Sequence, residues 1–323
     1  MIDRRGFLAS VCGTALAGPA FGQQAYPSRT ISMVVPFPAG GPADLVARVA
    51  KEAMEKQLGQ PIIIDNRAGA GGTIGAAAVA GAAPDGHVIG MISTGAMAIL
   101  PHLMANLRYD PLRDLVPVGL AMATPQILVV APELKVGSVA ELVARAKARP
   151  GELIYGSAGV GSSLHLAGEL FRLRAGVQVT HLPYRGAAPA LMDLLGGRIH
   201  FMLADAPAFI AQIQSGALKA LAVTAKQRLA LLPDVPTMPE TGLDVISETW
   251  YGLLAPKATP EDRLDRLYGA LKDALAIPAA RQTLENQGCL ISTLDRPAFA
   301  AYIRADFERW GEIVKATGIK LDP

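Results

Sequence analysis

Two glycine-rich segments hold the residues best suited to chemistry in this sequence. VVPFPAGGPAD (34–44) carries an apolar strand end through glycines into an amphipathic helix, and GSAGVGSS (156–163) does the same after Leu153-Ile154-Tyr155. Glycines at such elbows leave the main chain open to close approach, while Pro36 and Pro38 remove ladder donors. The first N–H groups of each following helix lack helical partners, so each elbow is a ready anion site built from amides and hydroxyls. Taken singly, either elbow also reads as an ordinary tight βα turn.

Covalent catalysis fits the spacing poorly. YGSAG (155–159) has Tyr155 where a nucleophile elbow needs its first glycine. GSAGVG and GAGG have neither the dinucleotide-binding spacing nor the Lys-Ser/Thr of a phosphate loop, so no cofactor is expected. The five histidines (87, 102, 165, 181, 200) form no short ligand pattern, which speaks against a metal, and His87, His181 and His200 border strands where structural roles are common. A Ser157, His165, Asp205 triad can be written down, but His165 falls at a helix start with nothing to orient it. No catalytic residue is assigned; a serine hydrolase using Ser157 is the enzymatic alternative.

The elements that must position these residues alternate strand and helix. Thr30 to Phe37 reads as a strand, and Leu45, Val46, Val49, Ala50, Ala53, Met54 and Leu58 mark one buried helical face before Gly59. Strand 62–65, a loop ending in Gly69-Ala70-Gly71-Gly72, helix 74–83 and strand 87–93 follow. The same grammar restarts at Leu153: strand, elbow, helix to Leu173, strand 177–182, a Pro183-Tyr184-Arg185-Gly186 loop, helix to Leu195 and strand 199–203. Phe37 to Asn66 spans 29 residues and Gly156 to Tyr184 spans 28, so the two first βαβ units nearly match in length. Alternation of this kind gives mainly parallel sheets with ligands at the strands' carboxyl ends.

The copies also share their exits. LVPVGLA (115–121) leads through Thr124-Pro125 into QILVVAP (126–132), and LKALAVT (218–224) leads through LPDVPTMPETG into WYGLLAP (250–256). A chain that crosses twice makes two hinged lobes, 27–124 with 228–323 and 125–227. Strand ends then converge from both: Phe37, Pro38, Ala39, Gly40, Gly41, Asn66, Arg67, Ser93 and Thr94 face Ser157, Ala158, Gly159, Gly161, Ser162, Ser163, Tyr184, Arg185 and Asp205. Arg67 and Arg185 serve either to pair a ligand or to form ion pairs. Asp205 accepts from a ligand or water, or caps the next helix. The C-terminal third reads as helical packing, with Thr259 as cap, Pro260 as first residue, and apolar stripes 264–275 and 299–314.

Composition bounds the partners. With 30 Lys+Arg, 28 Asp+Glu and only 5% aromatic residues among 323, the chain lacks the basic, aromatic-interleaved surface of a nucleic-acid binder. Residues 1–22, with Arg4-Arg5, a mild apolar stretch and Ala20-Phe21-Gly22, read as a twin-arginine export signal; Gly13, Gly18 and Pro19 interrupt a run already too short to span a membrane. Its removal lowers the formal charge from +2 to +1 and leaves Cys289 as the single cysteine, so the exported protein would have no disulfide.

The ordered blocks VVPFPAGGPADLVAR, NRAGAGGTIGA, PDGHVIGMISTG, GSSLHLAGELF, PYRGAAPALMDLLGGR, LKALAVT with LPDVPT, WYGLLAP and FAAYIRADFERW together resemble the periplasmic receptors of tripartite tricarboxylate transporters, the Bug-type solute-binding proteins. The resemblance covers essentially the whole chain after the leader. It implies a type II periplasmic-binding-protein fold, two doubly wound α/β lobes on a two-segment hinge with the ligand cleft between. It further implies a periplasmic receptor for small di- or tricarboxylates or related acids, held by amides, hydroxyls and waters of both elbows and delivered to membrane permease subunits; a monomer is the default for a receptor that must close and dock. A receptor reporting to a membrane kinase would carry the same blocks. Where many relatives place a polar pair after Ser-Thr-Gly this chain has Ala96-Met97, and Ala204 stands where relatives often have Phe; both changes are expected to make the pocket wall less polar or roomier.

Overall fold

Strand β1 (Ile31–Val35) leads into helix α1 (Pro42–Leu58), then β2 (Ile62–Asn66), α2 (Thr73–Ala80) and β3 (Val88–Ser93). A long strand β4 (Leu115–Val130) and helix α3 (Val139–Ala148) precede β5 (Ile154–Ser157), α4 (Ser163–Ala175), β6 (Thr180–Pro183), α5 (Ala187–Leu195) and β7 (Phe201–Asp205). Helix α6 (Ala206–Gln214), β8 (Lys219–Val223), β9 (Glu248–Pro256), α7 (Glu261–Ala276), α8 (Pro278–Glu285), β10 (Leu290–Ile291) and α9 (Arg296–Thr317) complete the chain. This computed structural model describes residues 26–292 and 294–319; the expected export signal at 1–22 lies outside them.

The strand order β2-β1-β3-β9-β4-β7-β5-β6 reads alike from both ends. The parallel trio β2-β1-β3 is repeated as β6-β5-β7, with β9 and β4 antiparallel between them. This is the duplication expected from the two βαβ units. Strand β4 joins the halves in one piece: Leu115 to Pro125 pair with β9, whereas Gln126 to Val130 pair with β7 and β8. The partner exchange falls between Pro125 and Gln126, and a proline, which donates no ladder hydrogen bond, suits such a change.

Local sequence explains the helices that aim the elbows. In α1, Val46, Ala47, Ala50, Met54 and Leu58 are buried at helical spacing, and each large apolar side chain so buried contributes about 1.5–3 kcal/mol. Pro42 occupies the first turn, where its missing N–H costs nothing, and Gly59 ends the helix in the left-handed region at φ 74°. Helix α4 is capped by Ser162, which accepts from the His165 amide, and stops at left-handed Gly176. Helix α7 starts one residue later than expected: Pro260 is its N-cap residue and the buried Thr259 hydroxyl makes no bond, with Glu261 and Asp262 facing the helix dipole instead.

Separate cores lie on the two sides of each half. Helices α1 and α7 cover one face of the β1–β3–β9 sheet, and α3 and α4 pack around Tyr155, Phe171 and Phe201. Leu166 of α4 makes one contact between the halves, sharing a buried cluster with Ala98, Ile99, Trp310 and Val314. Among the described residues no helix is long and apolar enough to cross a membrane. Cys289 is a free, buried thiol, and burial followed by the nearby Asp205 carboxyl pushes it up to about 12.

Candidate functional site

The first elbow is braced from behind by a buried acid. Asp44, 2% exposed in the first turn of α1, accepts from the Gly40 amide (3.0 Å), Asn66 Nδ2 (3.0 Å) and Arg48 Nε (2.7 Å), and Asn66 Nδ2 also donates to the Phe37 carbonyl. Burial alone would raise the Asp44 carboxyl, but the hydrogen bonds from Arg48, Gly40 and Asn66 outweigh it and hold the group below the ordinary carboxylate range. The Gly40 amide is therefore turned toward the helix. Gly40 itself has φ +85°, which explains glycine there.

The second elbow is braced by serines and a histidine stack. Ser157 Oγ lies 2.7 Å from His181 Nε2 and also meets the Gly159 main chain; Ser162 Oγ donates to the Gly159 carbonyl. His165 Nδ1 accepts from the Gly161 amide at 3.2 Å, so its proton sits on Nε2. The rings of His165 and His181 stack 4.0 Å apart, and Tyr155 lies under His181 while its hydroxyl donates to Glu169. Burial lowers His165 to about 4 and, with His165 beside it, His181 to about 3, so both are neutral near pH 7. The triad imagined from sequence does not assemble: His181 rather than His165 meets Ser157, and Asp205 is engaged elsewhere.

Between the elbows opens a cleft of about 1020 Å³. Of the residues expected at the site, Phe37, Pro38, Ala158, Gly159 and Tyr184 line it, joined by Arg185. The Tyr184 hydroxyl is committed to Asp193 at 2.7 Å, and burial with that carboxylate raises it to about 12, so its ring is what the ligand space meets. Two lining segments escaped the sequence reading: the loop Ala68 to Gly72 after β2, and Leu100 to Asn106 after β3. Positive φ at Gly69, Ala70, Gly71 and Gly72 marks the first as a specially shaped loop, a signal present in its glycines.

The remaining expected residues lie elsewhere. Gly40 and Gly41 face a smaller cavity of about 460 Å³ with Arg48, Pro207 and Gln287. Ala39 is exposed at the turn, and Gly161, Ser162 and Ser163 are buried beneath the elbow. Ser93 and Thr94 are buried as well; Thr94 Oγ1 accepts from the Trp250 amide, while Ser93 Oγ has no partner. Arg67 pairs with Asp65 at 2.7 Å and so takes the ion-pair role. Met97 and Ala204, expected to alter the pocket wall, are core residues, 1% and 0% exposed, so the pocket-wall role does not hold for them.

Asp205 is the fullest departure. Its carboxylate lies in the seam where β9 passes β7, accepting from Thr249 Oγ1 (2.7 Å) and Tyr251 OH (3.0 Å), with Ser163 Oγ and Gln126 Nε2 on Thr249 in turn. It caps nothing on α6. Burial outweighs these bonds and raises it to about 6. The folded form thus holds this proton more tightly than the unfolded chain, so its stabilising contribution is full below about pH 4 and is lost as pH rises through 6. Unfolding of Asp205→Asn compared with the native protein from pH 4 to 7 should show the native protein losing on the order of 2–3 kcal/mol more. Parallel profiles would place the Asp205 proton elsewhere.

Known proteins resemble this chain over most of its length. A family model described as the tripartite tricarboxylate transporter family receptor matches residues 46–319. Protein BugT of Bordetella pertussis is 40% identical over 300 residues, 92% of this chain and 91% of that protein. A solved structure of R. palustris Rpa4515 with adipate superposes with a TM-score of 0.88 at 33% identity, covering 91% of this chain and 99% of the other. The periplasmic binding protein BugD superposes with a TM-score of 0.87 at 36% identity, covering 91% and 99%.

Proposed function

The chain belongs to the tripartite tricarboxylate transporter receptor family, with the type II periplasmic-binding fold, and on that premise we propose that it captures a small organic carboxylate between two closing lobes for delivery to membrane permease subunits. The lobes are 27–124 with 228–323 and 125–227, moving about β4 and the 224–248 segment. One observation carries the reading: both copies of the strand-to-helix elbow reach one cleft, and no carboxylate side chain lines it. Adipate in the related structure is a carboxylate of the expected kind. Family membership and the likeness to BugD support export to the periplasm.

The energetics suffice without a buried salt bridge. Hydrogen bonds to a charged group contribute roughly 1.5–3 kcal/mol each. Micromolar affinity requires about 8 kcal/mol, so four or five such bonds, offset by the entropy of association, reach that range. The main-chain amides of Ala158 and Val160, which line the cleft, are the proposed donors from the second elbow. Ser157 with His181 is the single pair that favours a hydrolase, but Ser157 is fully buried and bonded within its own turn, leaving no approach for a substrate carbonyl.

Thermal unfolding tests the reading. An acid present at a hundred times its Kd should stabilise the protein by about 2.7 kcal/mol. Gly40→Val should weaken that ligand about tenfold or more with the lobes still folded. A Cβ there meets nothing within 4 Å, so the change acts through backbone strain of about 1–3 kcal/mol at φ +85°, which displaces the elbow. Unaltered binding by Gly40→Val would remove this elbow from the site.

A further inference from the structure

The cleft's lining is lopsided in a way that narrows the ligand, an inference that rests on the carboxylate-receptor reading. Arg185 is the one cationic side chain in the lining, exposed and in no ion pair or hydrogen bond among the described residues. Leu103, Met104, Phe37 and Val160 supply apolar lining, and the Tyr184 ring adds to it because its hydroxyl is held by Asp193. Besides Arg185 and the Tyr184 hydroxyl held by Asp193, Asn106 is the one polar side chain in the lining. We infer that the cleft selects a monocarboxylate with an apolar body, aryl or medium-chain alkyl, whose carboxylate pairs with Arg185 and the cleft-lining elbow amides while its body lies on Leu103 and Met104.

Charge and lining together favour one carboxylate over three. Arg185 is the one cationic side chain in the lining, so a second or third carboxylate would have main-chain amides and Asn106 as its partners, and any part of it laid on Leu103 and Met104 would lose water without a counter-charge. An apolar body instead gains about 25 cal/mol for each Å² it buries.

Calorimetric titration with phenylacetate, octanoate, succinate and citrate tests this in the native protein, Arg185→Gln and Met104→Ser. Phenylacetate or octanoate should bind at least tenfold tighter than succinate or citrate. Arg185→Gln should weaken the preferred acid about tenfold with the unfolding midpoint unchanged, and Met104→Ser should weaken octanoate more than succinate. Tighter binding of succinate or citrate overturns the inference and leaves the carboxylate receptor standing. Full affinity in Arg185→Gln overturns the role given to that residue. Silence from all four acids, with a folded protein, overturns the inference and counts against the receptor reading from which it starts.

Discussion

Gly161→Ala should lose about 2–4 kcal/mol of stability and most of its affinity for any cleft ligand. Gly161 sits at φ +76°, where a side chain costs about 1–2 kcal/mol. A Cβ placed there would lie 2.1 Å from Leu100 Cδ2 and 3.0 Å from Leu100 Cγ, and Leu100 is 1% exposed with little room to move; overpacking of this kind adds about 1–3 kcal/mol. The clash joins the second elbow to the segment after β3, so relief requires the Leu100 side chain or the elbow to shift. Gly151→Ala is the control, because Gly151 has φ +79° and nothing within 4 Å of its Cβ. Chemical unfolding and ligand titration of both variants should show strain in each and loss of affinity in Gly161→Ala alone. Equal behaviour would mean that Leu100 and the elbow are not coupled.

Trp250→Ala should cost about 3–5 kcal/mol, the range for large aromatic residues deleted from cores. Its indole is fully buried, edge-on to Phe299 with centroids 5.4 Å apart, and Nε1 donates to Asp306 at 2.7 Å. Removal leaves a cavity between β9 and α9 and strips the 5%-exposed Asp306 of a donor, leaving it Arg309 alone. Because α9 also holds Trp310 against Leu166 of α4, the loss should loosen contact between the halves. Trp250→Phe, which keeps one aromatic ring but loses the rest of the indole volume and the hydrogen bond, should fall between the native protein and Trp250→Ala in urea unfolding; a Trp250→Ala loss under 1 kcal/mol would contradict this account of α9.

The sequence made the duplication legible because strands, glycine elbows and helices recur at matching lengths, and the mirrored strand order follows from that. It also placed the partner exchange next to Pro125, since a proline between two apolar runs interrupts ladder donation. Helices α3 and α8 were not read from it: they are ten and eight residues long, too short to declare a period. At the site, residue type located the elbows but not which way each faces. Asp205 follows an apolar strand, as a pocket acid would, yet its fate depended on Thr249 and Tyr251, 44 and 46 residues away in a strand that only the fold brings alongside. Arg67 and Arg185 look alike in sequence; Asp65 two residues before Arg67 supplies its partner, and Arg185 has none in its own loop.

The central claim is that two opposed elbows close over one organic acid. Calorimetric titration of the native protein with mono-, di- and tricarboxylates measures it most directly. Saturable heat at one site per chain from at least one acid, lost in Gly161→Ala, is the predicted result. A folded protein that gives no heat with any acid across the panel would contradict it.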